Sequence, residues 1–184
     1  MGRLIYSMIM SLDGFISDER GNFDWAVPDD EVHRFANDLE RSIGTHLYGR
    51  KMYETMVWWE TQGDDSDVGR DYAQVWRAAD KVVYSRRLDR ASSKKTRVER
   101  EFDPAEVRKM KLASARDLAI AGPELAAHAL HARLVDELDL FVVPVIVGGG
   151  SRALPHNLWA KPRLTEERRF ANGTVFLRYE IVHS

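Results

Sequence analysis

Cysteine is absent from this chain of 184 residues. Its absence excludes disulfides, iron–sulfur clusters, thiolate zinc sites and a cysteine nucleophile. Long apolar runs are missing as well, since none approaches the roughly 20 residues that a membrane helix needs. The opening run meets Asp13 too early for the core of a signal peptide. No charge of one sign dominates: 27 basic and 29 acidic side chains leave a formal charge of −2, which argues against wholesale nucleic-acid binding. Internal repeats and low-complexity tracts are lacking. No Gly-x-Gly-x-x-Gly follows the first apolar run and no Gly-x-x-x-x-Gly-Lys-Ser/Thr occurs, so ordinary Rossmann and P-loop readings fail. A soluble, cytoplasmic protein is the expectation.

What is present suffices for a core. Hydrophobic residues make up 44% of the chain, with seven Phe, six Tyr and five Trp. The length suits one domain spanning residues 1–184. Residues 3–10 read as a buried strand that stops at Asp13-Gly14. Pro28, Asp29 and Asp30 open a helix whose apolar positions Val32, Phe35, Ala36, Leu39 and Ile43 fall at helical spacing, with Gly44 as its stop. A short strand over 45–48 runs into Gly49 and a helix over 50–57. Residues 61–71 read as a polar surface loop, 81–85 as a strand, and 104–112 as a helix begun by Pro104. An apolar stretch over 118–121 ends at Gly122-Pro123, before an alanine-rich helix over 124–135. Residues 138–147 read as a long strand broken by Pro144 and running into Gly148, Gly149 and Gly150. The tail over 174–182 alternates like a final hairpin after Asn172-Gly173. This order predicts a three-layer α/β/α fold with a mostly parallel central sheet and antiparallel C-terminal strands.

In such sheets ligands sit beyond the strand C-termini, so the turns after each apolar run are the segments to inspect. Gly49 before a helix start offers unpaired backbone N–H groups, and Arg50 and Lys51 add formal charge. The turn at Gly122 could hold another part of a diphosphate. Ser85, Arg86 and Arg87 suit a terminal phosphate monoester, because guanidinium forks match phosphate oxygens. Together they suit a phosphorylated dinucleotide.

The series of motifs resembles the dihydrofolate reductase-like superfamily, and within it the stand-alone relatives of the reductase half of the bifunctional riboflavin-biosynthesis deaminase–reductase. The matching pieces are Met10-Ser11-Leu12-Asp13-Gly14-Phe15-Ile16, Phe23-Asp24-Trp25, Gly49-Arg50-Lys51-Met52-Tyr53-Glu54, Val82-Val83-Tyr84-Ser85-Arg86 and Ile120-Ala121-Gly122. Leu134-Val135-Asp136-Glu137-Leu138 and Pro144-Val145-Ile146-Val147-Gly148-Gly149-Gly150 complete the series. The resemblance implies NADPH as hydride donor. Carried over, its cofactor residues are Gly49, Arg50, Lys51 and Met52, then Ser85, Arg86 and Arg87 by the adenosine 2′-phosphate, then Gly122, Pro123, Glu124 and Leu125. Dihydrofolate reductases have Gly-Gly where this chain has Gly122-Pro123, and proline removes one backbone donor there. Trp25-Ala26-Val27-Pro28-Asp29-Asp30 is similar to the family's Trp-x-Leu-Pro-x-Asp, which makes Trp25 and Asp30 candidate substrate contacts.

On the residues alone, Asp29, Asp30 and Glu31 serve equally as charges that complement a helix N-terminus. Asp13 is the second catalytic candidate, either pointing into the cleft or forming an Asp-Gly turn. The deaminase signature of His-x-Glu with Pro-Cys-x-x-Cys is absent, so reduction alone is expected. The resemblance further implies a homodimer paired through its sheets. Four other features favour plain readings. His128 and His131 read as surface or interface histidines rather than metal ligands. Gly148–Gly150 reads as a bend in a strand, and Trp58-Trp59 as packing under the 61–71 loop. The basic segment 81–97 reads as a solvated loop rather than a nucleic-acid patch.

The expected function is an NADPH-dependent reductase acting on a C=N or C=O of a small heterocyclic or ribosylamino-pyrimidine-like substrate. Dihydrofolate reductase-type activity and nucleotide binding without turnover are the alternatives.

Overall fold

Strand faces follow from side-chain alternation. In β1 (Leu4–Ser11), Leu4, Tyr6 and Met8 point into one helical layer, while Ile5 and Ile9 point into the other. A strand apolar on both faces belongs at the centre of a parallel sheet. The computed structural model describes residues 1–61 and 65–182 and places β1 there. The chain continues through β2 (Phe15–Ser17), a 3-10 turn at Asp24–Ala26, α1 (Asp30–Glu40), β3 (Ile43–Gly49), α2 (Arg50–Met56), α3 (Trp58–Thr61) and α4 (Asp67–Ala78). Next come β4 (Asp80–Tyr84), β5 (Thr96–Glu99), α5 (Pro104–Ala113), β6 (Asp117–Ala121), α6 (Pro123–His131) and β7 (Glu137–Val143). The last elements are β8 (Ser151–Arg152), β9 (Arg163–Arg169) and β10 (Val175–Glu180).

The main sheet has eight strands in the order β5-β4-β3-β6-β1-β7-β10-β9. Pairings from β5 across to β7 are parallel, and β10 runs antiparallel to both β7 and β9. Thus the expected α/β architecture, with a mostly parallel sheet and antiparallel C-terminal strands, is what the chain forms. On one face, α5 and α6 bury Val107, Leu125, Ala126, Ala129 and Leu130 against Leu4, Tyr6, Leu47, Val82 and Ile120. On the other, α1 sets Val32 and Phe35 against Phe141, Phe170 and Phe176, whose rings meet Phe35 at 4.9–6.1 Å. The same face carries α2 and α4, where Tyr53 and Trp76 pack on Tyr48 and Val83. Among the described residues no helix is long and apolar enough to cross a membrane.

Several boundaries depart from the sequence expectations. Ile43 does not end α1; it starts β3 and packs on Ile5 and Ala119. Gly44 lies inside that strand, where a Cβ would come 2.9 Å from Arg116 Cβ. The polar 61–71 stretch is not a loop throughout. Ser66 caps α4, accepting from Gly69 N at 3.0 Å, and Val68, Ala73 and Trp76 then form its buried stripe. The part of that loop at residues 62–64 falls outside the described residues. The alanine-rich helix stops at His131 because Arg133 takes a left-handed backbone conformation, φ 53°. The long strand ends at Val143, before Pro144, and the glycines beyond it fold back over β2.

Candidate functional site

Connections from β3 and β6 leave the sheet on opposite sides: β3 feeds α2 on the face of α4, and β6 feeds α6 on the face of α5. These two strands are neighbours, so a topological switch point lies between them, where open α/β sheets bind ligands. Gly49 and Gly122 stand side by side at this point as the N-caps of α2 and α6. Each keeps clear of the other helix. A Cβ on Gly122 would meet Met52 Cβ at 3.4 Å, and one on Gly49 would meet Leu125 Cβ at 3.9 Å. Gly122 also has φ 93°, a conformation that only glycine adopts without strain. Met52 and Leu125 therefore lie beside the two glycines, and the close approach there is of one helix start to the other.

The charges around this edge are unevenly committed. Arg50 pairs with Glu54 one turn along α2, at 2.7 Å, while Lys51 makes no ion pair among the described residues. Glu124 lies exposed in the first turn of α6, where its carboxylate offsets the positive helix end, and Pro123 presents no N–H. One strand further out, Ser85 Oγ accepts from Arg87 N and Leu88 N at 3.2 and 3.0 Å, closing the turn after β4 and leaving its own proton to donate. Arg100 clamps the turn from β5 through Ser85 O and Leu88 O. Arg86 pairs with Glu101 at 2.8 Å on the surface; Arg87 forms no ion pair among the described residues. Lys81, counted in the basic 81–97 segment, is buried instead, with its ammonium 4.1 Å from the Trp76 ring centroid. Burial brings that amine down to about 8.

The two carboxylates expected to act on substrate are each engaged by other partners. Asp13 accepts from Ser11 Oγ at 2.7 Å, Gly148 N at 2.8 Å and Val147 N at 3.2 Å. The Ser11 hydroxyl, then these backbone donors, hold its carboxyl below the usual carboxylate range, which suits a tether and not a proton donor. Asp13 thereby ties the end of β1 to the glycine-rich segment after β7. There Gly150, at φ 128°, passes so close to β2 that a Cβ would lie 2.0 Å from Ser17 O, so these glycines serve backbone-on-backbone contact. Asp13→Ala is expected to speed proteolytic cleavage within residues 144–150 several-fold with the sheet intact; an unchanged cleavage rate would uncouple Asp13 from that segment.

Asp30 occupies the first position of α1 and turns outward, 66% exposed and paired with Arg34 at 3.0 Å, while Asp29 is the residue that caps the helix. Trp25, from the 3-10 turn, does line a cavity of about 210 Å³ with Ile9, Val32, Phe141, Val143 and Thr174; Asp30 does not. The Trp25 indole N–H is sealed from solvent without a hydrogen-bond partner among the described residues.

Aromatic and charged side chains form further groupings away from these turns. His33 on α1 meets Tyr72 and Trp59 at 5.6 and 6.1 Å; Trp59 packs on Tyr72 of α4, while Trp58 lies against Trp59 and is exposed. His128 stacks on Phe102 and His131 bonds to Ala127 O, which turns both toward local packing. At the far ends of the parallel strands, Glu40 and His46 face each other, and Arg178 joins Asp139 and Glu137. A signal for the last group was the alternation of Glu137 and Asp139 within an apolar strand.

Known proteins are similar to this chain in sequence or in fold. The chain is 27% identical over 182 residues to the uncharacterized protein YyaP of Bacillus subtilis (strain 168), covering 96% of this chain and 94% of that one. A putative riboflavin biosynthesis protein from Shewanella sp. PV-4 superposes with a TM-score of 0.76 at 17% identity, over 98% of this chain and 99% of that chain. The deaminase/5-amino-6-(5-phosphoribosylamino)uracil reductase of Thermotoga maritima gives a TM-score of 0.68 at 14% identity, with 98% of this chain matching 57% of that one. At such identities the two structures establish a shared fold. Residues 3–176 match the family model of the RibD C-terminal domain, and the chain belongs to that family.

Proposed function

We propose that this protein is a reductase that binds NADPH along the β4–β3–β6 edge and reduces a C=N or C=O carbon of a small heterocycle, of the ribosylamino-pyrimidine type. The observation that carries this reading is the meeting of two glycine-capped helix starts at the switch point between β3 and β6. Membership of the RibD C-terminal domain family supports the reductase class.

The residues present fit the cofactor on the β3 and β4 side. Gly49 leaves the first N–H groups of α2 accessible, and Lys51 adds an uncommitted cation for a diphosphate. The Ser85 hydroxyl and the Arg87 guanidinium suit a 2′-phosphate. Pro123, without an N–H, and Glu124, with its negative charge, disfavour phosphate at α6. Bound NADPH supplies the hydride. The chain's own share is to hold the acceptor beside Ile9 and Trp25, keep that wall dry, and admit a proton. With Asp13 tethering a loop and Asp30 paired outward, water is the proton source in this reading. In this reading the protein is cytoplasmic and a homodimer paired through its sheet, whose outermost strand β9 is exposed along its length.

Tryptophan fluorescence tests the cofactor assignment. NADPH is expected to saturate at least tenfold more tightly than NADH, about 1.4 kcal/mol. Arg87→Ala should collapse that ratio; Arg86→Ala should lower it less, because Arg86 already pairs with Glu101. Unaltered ratios in both variants would remove the turn from the site, and no binding of either nucleotide would end the reductase reading. Nucleotide binding without turnover is the second reading, favoured by the commitment of both Asp13 and Asp30 to other partners. Tight NADPH binding without oxidation across a pyrimidine and pterin panel would establish it.

A further inference from the structure

Tyr53 lies in the first turn of α2, its ring buried in the cluster of Tyr48, Trp76 and Val83. Its phenolic oxygen accepts from Ser92 N at 2.9 Å and from Ser93 N at 3.1 Å. The same oxygen lies 2.9 Å from Ser93 Oγ and 3.4 Å from Ser92 Oγ. Neighbouring bonds set the direction of the shorter contact. Thr96 Oγ1 donates to Lys94 O at 2.9 Å, so across its 2.7 Å contact with Ser93 Oγ it accepts. A hydroxyl has one proton to give, and that of Ser93 goes to Thr96; Ser93 Oγ therefore accepts from the Tyr53 O–H. One buried hydroxyl thus satisfies two backbone N–H groups and joins a chain that reaches the start of β5.

These bonds hold the segment that follows Ser85. Arg100 grips its start through Ser85 O and Leu88 O, and Leu88 and Ala91 pack against the Tyr53 cluster. Tyr53 then takes the two N–H groups near its end. Arg87 lies exposed between these anchors. The helix that supplies Tyr53 begins at Gly49 with Lys51 in its first turn, the groups offered to a diphosphate. Tyr53 therefore joins the element that faces the diphosphate to the one that faces the 2′-phosphate.

We propose that Tyr53 is a positioning residue for selectivity between phosphorylated and unphosphorylated dinucleotides. By tying residues 86–93 to α2, it holds the Arg87 guanidinium at the distance a 2′-phosphate requires when the diphosphate sits on α2. The inference rests on the cofactor assignment above. A loop that must order itself on binding weakens only the ligand that touches it. The effect therefore falls on NADPH and spares NADH, which lacks that phosphate.

Tryptophan-fluorescence titration of the full chain with NADPH and NADH tests it. Phenylalanine keeps the ring and removes the hydroxyl, so Tyr53→Phe should weaken NADPH about fivefold or more and leave NADH within about twofold of wild type. A merely structural role would weaken both nucleotides alike or neither. Ser93→Ala keeps both backbone bonds and removes only the group that takes the Tyr53 proton; it should weaken NADPH about two- to threefold, again sparing NADH. The proposal is overturned if Tyr53→Phe binds both nucleotides as wild type does, or loses both in equal measure. Should Tyr53→Phe not fold, Ser93→Ala decides, and the absence of a selective loss of NADPH there overturns it. Wild-type protein that binds neither nucleotide, or both equally, refutes the cofactor assignment and the proposal with it. An unaltered ratio in Tyr53→Phe, against a wild type that prefers NADPH, refutes the role of Tyr53 alone.

Discussion

Arg178→Met is expected to destabilise the protein by about 3–5 kcal/mol, the usual result of stripping the partner from a buried ion pair. Asp139 is nearly sealed on β7, with a side chain 3% exposed, and takes two of the Arg178 N–H groups. Glu137 lies beside it on the same face, and burial already holds its carboxyl above the ordinary range. Methionine would fill the stem's volume and leave two adjacent buried carboxylates facing each other without a cation on β10. Urea unfolding at neutral pH measures the loss. The double variant Arg178→Met/Asp139→Leu separates lost attraction from stranded charge: it should recover more than half the deficit, since a well-packed apolar pair often equals a buried salt bridge. A single variant within about 1 kcal/mol of wild type would show that water reaches Asp139 and pairs it.

The same strand explains which parts of the fold were legible in the sequence. A run such as Leu138–Val143 announces a buried strand through its apolar content, but sequence alone gives no view of which charges are paired across strands. Asp139 is tolerable only because Arg178 stands opposite on β10, 39 residues away. Boundaries failed where a tertiary contact overrode local pattern. Ile43 continued the periodicity of α1 in the sequence, yet its side chain belongs to the contact with Ile5 and Ala119. The start of α4 was written in Ser66 and the spacing of Val68, Ala73 and Trp76, and was masked by the polar residues around the cap.

For the candidate site, the turns were legible and the commitments were not. Gly49 and Gly122 meet because β3 and β6 are neighbours, a pairing between segments more than 70 residues apart that no local motif specifies. Arg86 and Arg87 look equivalent in the sequence; only Glu101, delivered by the strand beyond, distinguishes them. Asp13 reads equally as a cleft residue or a turn residue until Gly148 N and Val147 N are seen to claim it. Asp30 sits at the expected start of its helix but faces Arg34 and solvent, because Asp29 takes the capping position.

Glu40→Gln is expected to gain about 3 kcal/mol of stability relative to wild type as pH rises from 4.5 to 7. Burial, then the Asp139 charge, raises the Glu40 carboxyl from 4.5 to about 7. A group raised in the folded state contributes fully below its unfolded value and loses that contribution as pH climbs through its folded value. The 2.5 pH units between the two, at about 1.36 kcal/mol each, set the size of the change. His46 moves oppositely: burial first, then Lys81 and Arg116, lower its imidazole from 6.5 to about 3. Its contribution is full above pH 6.5 and declines as pH falls toward 3. Between pH 4.5 and 6.5 the folded pair and the unfolded pair each hold one proton, so their slopes cancel in wild type. Removing either partner exposes the other's slope. In Glu40→Gln the remaining His46 should cause acid destabilisation to begin near pH 6.5, where in wild type this pair contributes none until about pH 4.5. Urea unfolding across pH 4–8 in both proteins reads the difference directly. Parallel curves would mean that the Glu40 carboxyl titrates in the folded protein as it does in water, and that the closed space between α1 and β3 is wet.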